Sequence, residues 1–445
     1  MKKLLMGNEA VALGAIRAGV RVATGYPGTP STEILETIAG QVKGGGAGVY
    51  VEWSVNEKAA LEVAAGAAMS GARALVTMKQ VGLNVASDPL LSLNYLGVEG
   101  GLVVAAADDP GPISSQTEQD TRRFGKFAKV AVFDPSSPEE AYTMIADAFA
   151  CSEKYHRPVI MRPTTRVCHG YASVEILDPL PVKAPSGFDK TGGRWVIFPS
   201  LAYKNHIQIE KDLAAMGDEF SEYGGNLLRE FCGRGVSSGR PKKGVASGGV
   251  SWAYTLEALE ALKDEKDFPP CRLLKTGVYP FSEKLGRSFL DGLEEVLVIE
   301  ELDPVIEDEL IRLCGLYRIA VTVRGKHSGD MPNAGENTAA LVREKAAGFL
   351  CGAGGARSAA AGTAAPGAAG VPAFSPPPPL PPRPPVLCAG CPHRASFFAV
   401  REACAAWARD RKDVQPAKAV FSGDIGCYTL GNAPPLFMTD TCLCM

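Results

Sequence analysis

Glu57 stands at the head of "VNEKAALEVAAGAAMSGA" (55–72), just after the strand-like run "VYVEW". A carboxylate in the first turn of a helix is favoured by the helix dipole, which gives it an ordinary structural role. The helix behind it is small and apolar on nearly every face, so it is buried or packed against another subunit. A carboxylate at the mouth of such a helix is desolvated, and the raised pKa that follows suits the handling of a proton. A second candidate is "GYPGTPST" (25–32), between a strand-like run and a helical one. Pro30 suits the first helical position and makes Thr29 the N-cap, so the corner serves equally as scaffold. The third group lies near the end: "CAGCPHR" (388–394) and "KAVFSGDIGCYTLG" (418–431). The pair Cys388 and Cys391 fits zinc, a redox pair or two unliganded thiols in a turn. The glycine turn after "KAVFS" leaves backbone amides free to approach a phosphate.

Those residues need a frame. From Asn8 to Thr164, the runs "RVATG", "VYVEW", "RALVTM", "GLVVAAA", "KVAVF" and "PVIMRP" alternate with helical patterns. They are almost continuously apolar, as strands buried on both faces are. The fold class is α/β, with doubly wound, largely parallel sheets, and ligands belong beyond the carboxyl ends of the strands. A second α/β set follows. "RWVIFP", "KGVASGG", "RLLKTG" and "EEVLVIEEL" read as strands; "SWAYTLEALEAL", "SEKLGRSFLDGL" and "PVIEDELIRLCG" read as helices. In this set "GVASGGVSWAYTLEAL" is either an anion cradle at a helix start or a plain scaffold. The acidic "VIEELDPVIEDEL" reads as a solvated face rather than a metal site. "GAGGARSAAAGTAAPGAAGVPAFSPPPPLPPRPP" (352–385) then breaks the composition, as an Ala/Gly-rich and Pro-rich spacer. The expected division is 1–175, 190–345, a linker over 346–385, and a short third region, 386–445.

The chain has 445 residues, 46% hydrophobic, with a formal charge of −3. That length asks for more than one domain. The charge argues against non-specific binding to nucleic acid. No apolar run is long enough for a membrane span, and Glu9 interrupts the only leader-like stretch, so a cytoplasmic setting is expected. Twelve cysteines in such a setting are not a disulfide framework. Cys151, Cys168, Cys232, Cys271, Cys314 and Cys351 are scattered and read as small buried side chains. The other six, Cys388, Cys391, Cys404, Cys427, Cys442 and Cys444, cluster near the end.

The stretches "YPGTPSTE", "VNEKAALEVAAGAAMSGARALVTMKQVGLN" and "DDPGPISSQTEQDTRRFGKFAKVAVFDPSSPEEA" resemble the pyrimidine-binding domain of the 2-oxoacid:ferredoxin oxidoreductases. With "RPPVLCAGCPHRASFFAV" and "FSGDIGCYTLGNAPPLFMTDTCLCM", the resemblance extends to the α subunits of indolepyruvate:ferredoxin oxidoreductases. It implies a fold of the thiamine-diphosphate-binding kind, with residues 190–345 similar to a transketolase C-terminal-like domain. It implies thiamine diphosphate as cofactor and Glu57 as the carboxylate that promotes the imino tautomer of its aminopyrimidine. Thr29 falls at the place of an active-site threonine, and Arg122 at that of a substrate-carboxylate arginine, with Arg123 as its neighbour in register. Pro27, Cys391, His393, Gly423, Asp424, Gly426 and Cys427 fall at cofactor-binding places. Cys388, Cys391 and Cys427 match three ligands of a [4Fe–4S] cluster found in some relatives, with no fourth in hand.

The activity implied is oxidative decarboxylation of an arylpyruvate such as indolepyruvate with coenzyme A. The products are an aryl-acetyl-CoA and carbon dioxide, with electrons passing through iron–sulfur clusters to ferredoxin. A smaller β subunit is the implied partner, and an anaerobic setting is expected. The family carries a Gly-Asp Mg2+ motif and a cysteine-rich ferredoxin-like module after the counterpart of "DTCLCM". The chain is therefore read as stopping inside its diphosphate-binding domain. Three other readings stand beside this one: a sister enzyme for another 2-oxoacid, a catalytically inactive subunit with a binding or assembly role, and a nucleotide-type acyl-CoA synthetase. The last has no phosphate loop here and does not account for Glu57.

Overall fold

The computed structural model describes every residue except 46–47, 183, 190–194, 196–198, 234–239, 266–267, 362–385, 410–420, 424–426, 440 and 443–445. The chain divides into two compact units, Met1–Ala365 and Pro366–Met445.

The strands of the first unit are β1 (Lys2–Met6), β2 (Val22–Gly25), β3 (Tyr50–Trp53), β4 (Ala74–Lys79), β5 (Leu102–Ala107), β6 (Val132–Phe133), β7 (Val159–Met161), β8 (Tyr171–Glu175), β9 (Leu227–Phe231), β10 (Lys243–Gly248), β11 (Cys271–Thr276), β12 (Val278–Tyr279), β13 (Glu295–Ile299) and β14 (Thr322–Arg324). Its helices are α1 (Gly7–Arg17), α2 (Thr32–Lys43), α3 (Glu57–Met69), α4 (Gln80–Val85), α5 (Ser87–Leu96), α6 (Thr121–Ala128), α7 (Pro138–Tyr155), α8 (Thr165–His169), α9 (Pro199–Glu219), α10 (Val250–Leu262), α11 (Glu283–Leu290), α12 (Val305–Tyr317) and α13 (Ala339–Ala361).

Among the described residues, seven strands form one sheet in the order β12-β6-β7-β5-β4-β2-β3. All its pairings are parallel except β12 on β6. Every residue of β4 and β5 is buried, which is why these runs carry no alternation. The chain passes from β2 out to β3, then back across β2 to β4, so the winding reverses between β2 and β4. A crevice outside the strand ends opens at such a point, and ligands bind there.

A second sheet has the order β14-β13-β10-β11-β9, parallel except for the edge strand β9. The expected strands "KGVASGG", "RLLKTG" and "EEVLVIEEL" are present as β10, β11 and β13; "RWVIFP" falls largely outside the described residues. Two features depart from the expected division. First, β12 comes from the second set yet completes the first sheet, Val278 opposite Phe133 and Tyr279 opposite Val132. One hydrophobic cluster spans both sheets, from Ala60 and Val76 to Val296 and Leu310. Second, residues 346–351 belong to α13 rather than to a linker. Ala346, Ala347, Phe349 and Leu350 are buried against Leu273 and Leu297, because this face carries the apolar residues needed to cover the second sheet.

Unit 366–445 is described by itself. Its helix α14 (Pro392–Arg409) starts at a proline, which suits the first helical turn, and β15 (Ser422–Gly423) pairs in parallel with β16 (Thr441–Cys442). Leu387, Phe397 and Met438 form its small core. No helix among the described residues is long and apolar enough to cross a membrane.

A candidate active site at the winding reversal

Three chain segments leave the carboxyl ends of β2, β3 and β4 at the reversal point. β3 leads through Asn56, whose side chain accepts from the amide of Ala59 at 2.8 Å and caps α3. Glu57 is thereby fixed as the first residue of α3, and it is only 4% exposed. Burial pushes its carboxyl up, opposed by a hydrogen bond from its own backbone amide and by the charge of Lys79. No other side chain donates to that carboxyl group among the described residues.

β4 ends on Lys79 and passes directly into α4. Gly82 of α4 lies against Glu57: a Cβ there would stand 2.5 Å from Oε1 and 2.7 Å from Cγ. Lys79 is 8% exposed and donates from Nζ to Oε1 of Gln116 at 3.3 Å. Burial lowers its pKa, and the nearby charges of Glu57 and Asp109 oppose that. Its stem underlies the loop after β2, where a Cβ on Gly28 would meet Cγ at 3.1 Å and Cδ at 3.2 Å.

The loop after β2 differs from the sequence expectation. Thr29 is exposed and is not an N-cap; α2 begins at Thr32, with Ser31 before it. The amide of Gly28 donates to Oγ1 of Thr32 at 2.9 Å, and Oγ of Ser31 donates to the Gly28 carbonyl at 2.9 Å. The turn is thus closed two residues later than the Thr-Pro pattern suggests, which leaves Pro27 and Thr29 on its outer surface.

The segment after β5 closes the cluster. Asp109 accepts from the amides of Ser114 (2.8 Å) and Ser115 (2.9 Å) and from Oγ1 of Thr165 (2.5 Å). Burial works against its charge, yet these donors hold Asp109 below the usual carboxylate range. Nε2 of Gln80 donates to the Thr117 carbonyl at 3.0 Å, and Oγ of Ser114 reaches the Thr29 carbonyl at 3.5 Å. The structure therefore brings together Glu57, Gly82, Lys79, Gln80, Gly28–Thr29 and the 114–117 loop. Of these, Glu57 and Thr29 stood among the sequence candidates, as did the neighbouring Pro27. Lys79, Gln80 and Gly82 were not singled out; their place right after a fully apolar strand was the available signal.

Arg122 has a different situation from the one expected. It is 2% exposed, and its five N–H groups are taken. Nε donates to Asp120 at 3.0 Å, Nη2 to Asp120 at 2.6 Å and to the Glu301 carbonyl at 2.7 Å, and Nη1 to Glu300 at 2.9 Å and to the Tyr279 hydroxyl at 3.5 Å. No donor remains for a substrate carboxylate. Arg123 pairs with Asp308 and donates to the Pro304 carbonyl. The acidic run is correspondingly not a solvated face. Glu300, Glu301 and Glu307 are buried: Glu300 accepts from Arg122 and from the amides of Ile306 and Glu307 at the head of α12, and Glu307 from the amide of Lys326. The Gly248–Gly249 turn faces a negative charge of the chain's own, since a Cβ on Gly249 would lie 3.0 Å from Oδ1 of Asp134.

Residues 13–186 match the family described as pyruvate flavodoxin/ferredoxin oxidoreductase, thiamine diphosphate-binding. Over the whole chain, the sequence is 40% identical to the indolepyruvate oxidoreductase subunit IorA of Methanothermobacter thermautotrophicus, covering 66% of that protein. It is 40% identical over 99% of its length to the IorA subunit of Thermococcus kodakarensis, covering 64% of it.

The chain is thus similar to IorA subunits over its whole length.

It spans just under two thirds of the length of these relatives. A 2-oxoglutarate:ferredoxin oxidoreductase from Magnetococcus marinus, solved with 2-oxoglutarate, coenzyme A and succinyl-CoA bound, shares the fold. The TM-score is 0.59 over 78% of this chain and 64% of that one, at 16% identity.

In the second unit, Sγ of Cys391 lies 3.2 Å from Nδ1 of His393, whose ring meets Tyr428 edge-on at 4.8 Å. Cys388 and Cys427 are exposed, and Gly423 lies in β15. Asp424 and Gly426 lie outside the described residues. Among the described residues, no three His, Cys, Asp or Glu side chains are placed to hold one metal ion, so Cys388, Cys391 and Cys427 are not gathered as a cluster site. Of the scattered cysteines, Cys151, Cys168 and Cys271 are buried as expected, whereas Cys232 is exposed.

The first unit offers a fit for a flat heteroaromatic base. Glu57 presents a buried carboxyl group that no neighbouring side chain occupies, and the missing side chains of Gly82 and Gly28 keep the cluster free of bulk. A carboxyl group in that state suits a hydrogen bond to a ring nitrogen.

Proposed function

We propose that this chain carries the pyrimidine side of a thiamine-diphosphate site in an indolepyruvate:ferredoxin oxidoreductase. In this reading, each turnover breaks the bond between the carboxyl and oxo carbons of an arylpyruvate. Carbon dioxide leaves, the aryl-acetyl group forms a thioester with coenzyme A, and two electrons pass through iron–sulfur clusters to ferredoxin. The observation that carries it is Glu57, a buried carboxyl with a raised pKa at the point where the sheet reverses its winding.

Thiamine diphosphate, when bound, supplies the nucleophilic carbon and the electron sink for this chemistry. Glu57 holds a proton at its carboxyl group and shares it with the pyrimidine ring nitrogen. Asn56 fixes Glu57 by capping α3, and Gly82 leaves the space its side chain needs. The loop of Pro27, Gly28 and Thr29 lies against the Lys79 stem on the β2 side. We assign 1–175 as the pyrimidine-binding domain, 190–351 as the transketolase C-terminal-like domain and 386–445 as the start of the diphosphate-binding domain. His393, Cys391, Gly423, Asp424, Gly426 and Cys427 are assigned to its cofactor face. Mg2+, [4Fe–4S] clusters, a smaller β subunit, ferredoxin and a cytoplasmic, anaerobic setting complete the reading.

The test is anaerobic reduction of a viologen dye by the full-length protein and its partner subunit, with thiamine diphosphate, Mg2+, coenzyme A and indolepyruvate. Substrate-dependent reduction is expected, and Glu57→Gln should slow it by about 100-fold or more. A wild-type enzyme that reduces the dye with no 2-oxoacid ends this reading.

A further inference from the structure

The 2-oxoacid reading requires a cation for the substrate carboxylate, and the residue expected to supply it, Arg122, has no free N–H. The cluster around Glu57 contains one cation whose donors are not used up. Lys79 has three N–H donors, and Nζ makes a single long hydrogen bond, 3.3 Å, to an uncharged amide oxygen. It forms no ion pair among the described residues. Its charge is buried and offset only through space by Glu57 and Asp109, with no carboxylate in contact, so an arriving anion is favoured.

The two acidic neighbours do not fill that role. Asp109 directs its oxygens to Ser114, Ser115 and Thr165. Glu57 is driven toward its neutral form by burial. The stem of Lys79 runs under Gly28, which places the residue beneath the loop that carries Thr29. Its position at the end of β4 puts it at the winding reversal, beside the proposed cofactor-binding carboxyl.

We propose that Lys79 receives the carboxylate of the 2-oxoacid substrate. This assignment rests on the 2-oxoacid reading above and gives the site its selectivity for an anionic substrate. Lysine acts as a point charge and lacks the two-pronged grip of arginine. The contact is made to the charge that leaves as carbon dioxide, so it stabilises bound substrate at least as well as the transition state. Its loss should therefore raise KM more than it lowers kcat.

The experiment compares two unreactive probes, 3-phenylpropanoate and 3-phenylpropanamide, binding to the full-length holoenzyme by calorimetry. They differ in charge and share the aryl group. The wild type should bind the acid about 10- to 100-fold more tightly than the amide, as befits a charge-assisted hydrogen bond. Lys79→Met should remove that preference while leaving affinity for the amide in place, and Lys79→Arg should keep most of it. Lys79→Gln serves as a second neutral variant should the methionine protein fail to fold. A preference for the acid that survives in the neutral variants overturns the assignment of Lys79 and leaves the 2-oxoacid reading standing. A wild type that binds both probes equally, or neither, overturns the assignment together with that reading. A fall in kcat and cofactor affinity with the acid preference intact would show Lys79 to be a support for Glu57 instead, and so also overturns it.

Discussion

Gly82 of α4 packs so closely on Glu57 that a side chain at residue 82 would place its first carbon 2.5 Å from Oε1. The atoms it would meet, Oε1, Cγ and Cδ, form most of the Glu57 side chain, so the whole group would have to move. Gly82→Ala should therefore weaken thiamine diphosphate binding and turnover by about 10-fold or more. Alanine is otherwise favoured over glycine within a helix by about 1 kcal/mol. The melting temperature of the cofactor-free protein should accordingly fall little, and a calorimetric titration with the cofactor would separate the two effects.

Glu57→Gln should stabilise the cofactor-free protein at neutral and alkaline pH. Burial raises the folded-state pKa of Glu57 above its unfolded value. Between those two values the folded chain binds more protons than the unfolded chain, so stability falls as pH rises through that window. Below the window both forms are protonated and the penalty vanishes. Thermal melts of wild type and Glu57→Gln should converge in acid and separate above it, with the glutamine variant the more stable.

Arg122→Met should destabilise the fold rather than merely raise KM. It leaves Asp120 and Glu300 buried without their cation. Breaking one side of such a pair costs about 3–5 kcal/mol, whereas an arginine that only bound substrate could be removed with little effect on stability. Denaturant unfolding measures this directly. Burial works against the charge of Asp120, but Arg122 and Arg162 bring its pKa down to about 2. The stability linked to Asp120 is present above its unfolded value, near 3.9, and is lost as pH falls through about 2.

Glu301 offers a separable pH test away from the cluster around Glu57. Burial raises its pKa to about 7, with the amide of Asn337 donating to Oε1 at 2.9 Å. Its proton is held more tightly in the folded chain, so its contribution falls as pH rises from the ordinary glutamate value through about 7. Glu301→Gln retains an oxygen for Asn337 and cannot ionise. Its melting temperature should gain on the wild type steadily between pH 5 and pH 8. A constant difference across that range would show that Glu301 does not titrate there.

The parallel core was readable because burial on both faces makes β4 and β5 apolar throughout. Glu57 was readable because a strand and a small-residue helix meet at it in one local stretch. The misses have a common cause in long-range contact. Glu300 is buried because of Arg122, an arginine far away in the chain. Lys79 follows the strand-like run "RALVTM" without any local mark, and only the fold lays the loop at Gly28 against its stem. The helix α9 does carry a stripe, Ile209, Leu213 and Met216 at helical spacing, but it was not among the expected elements. The two residues of β12 are too short a run to announce a strand.

That short strand has a consequence for synthesis. The sheet built around Glu57 is complete only when Val278 and Tyr279 reach Val132 and Phe133. A ribosome adding about 5–20 residues per second needs on the order of ten seconds to travel from β7 to β12. For that interval the nascent sheet ends at β6, whose outer backbone groups face solvent or a chaperone. The two-residue length of β6 limits what can pair with it meanwhile, since a short open edge is a poor template for another strand.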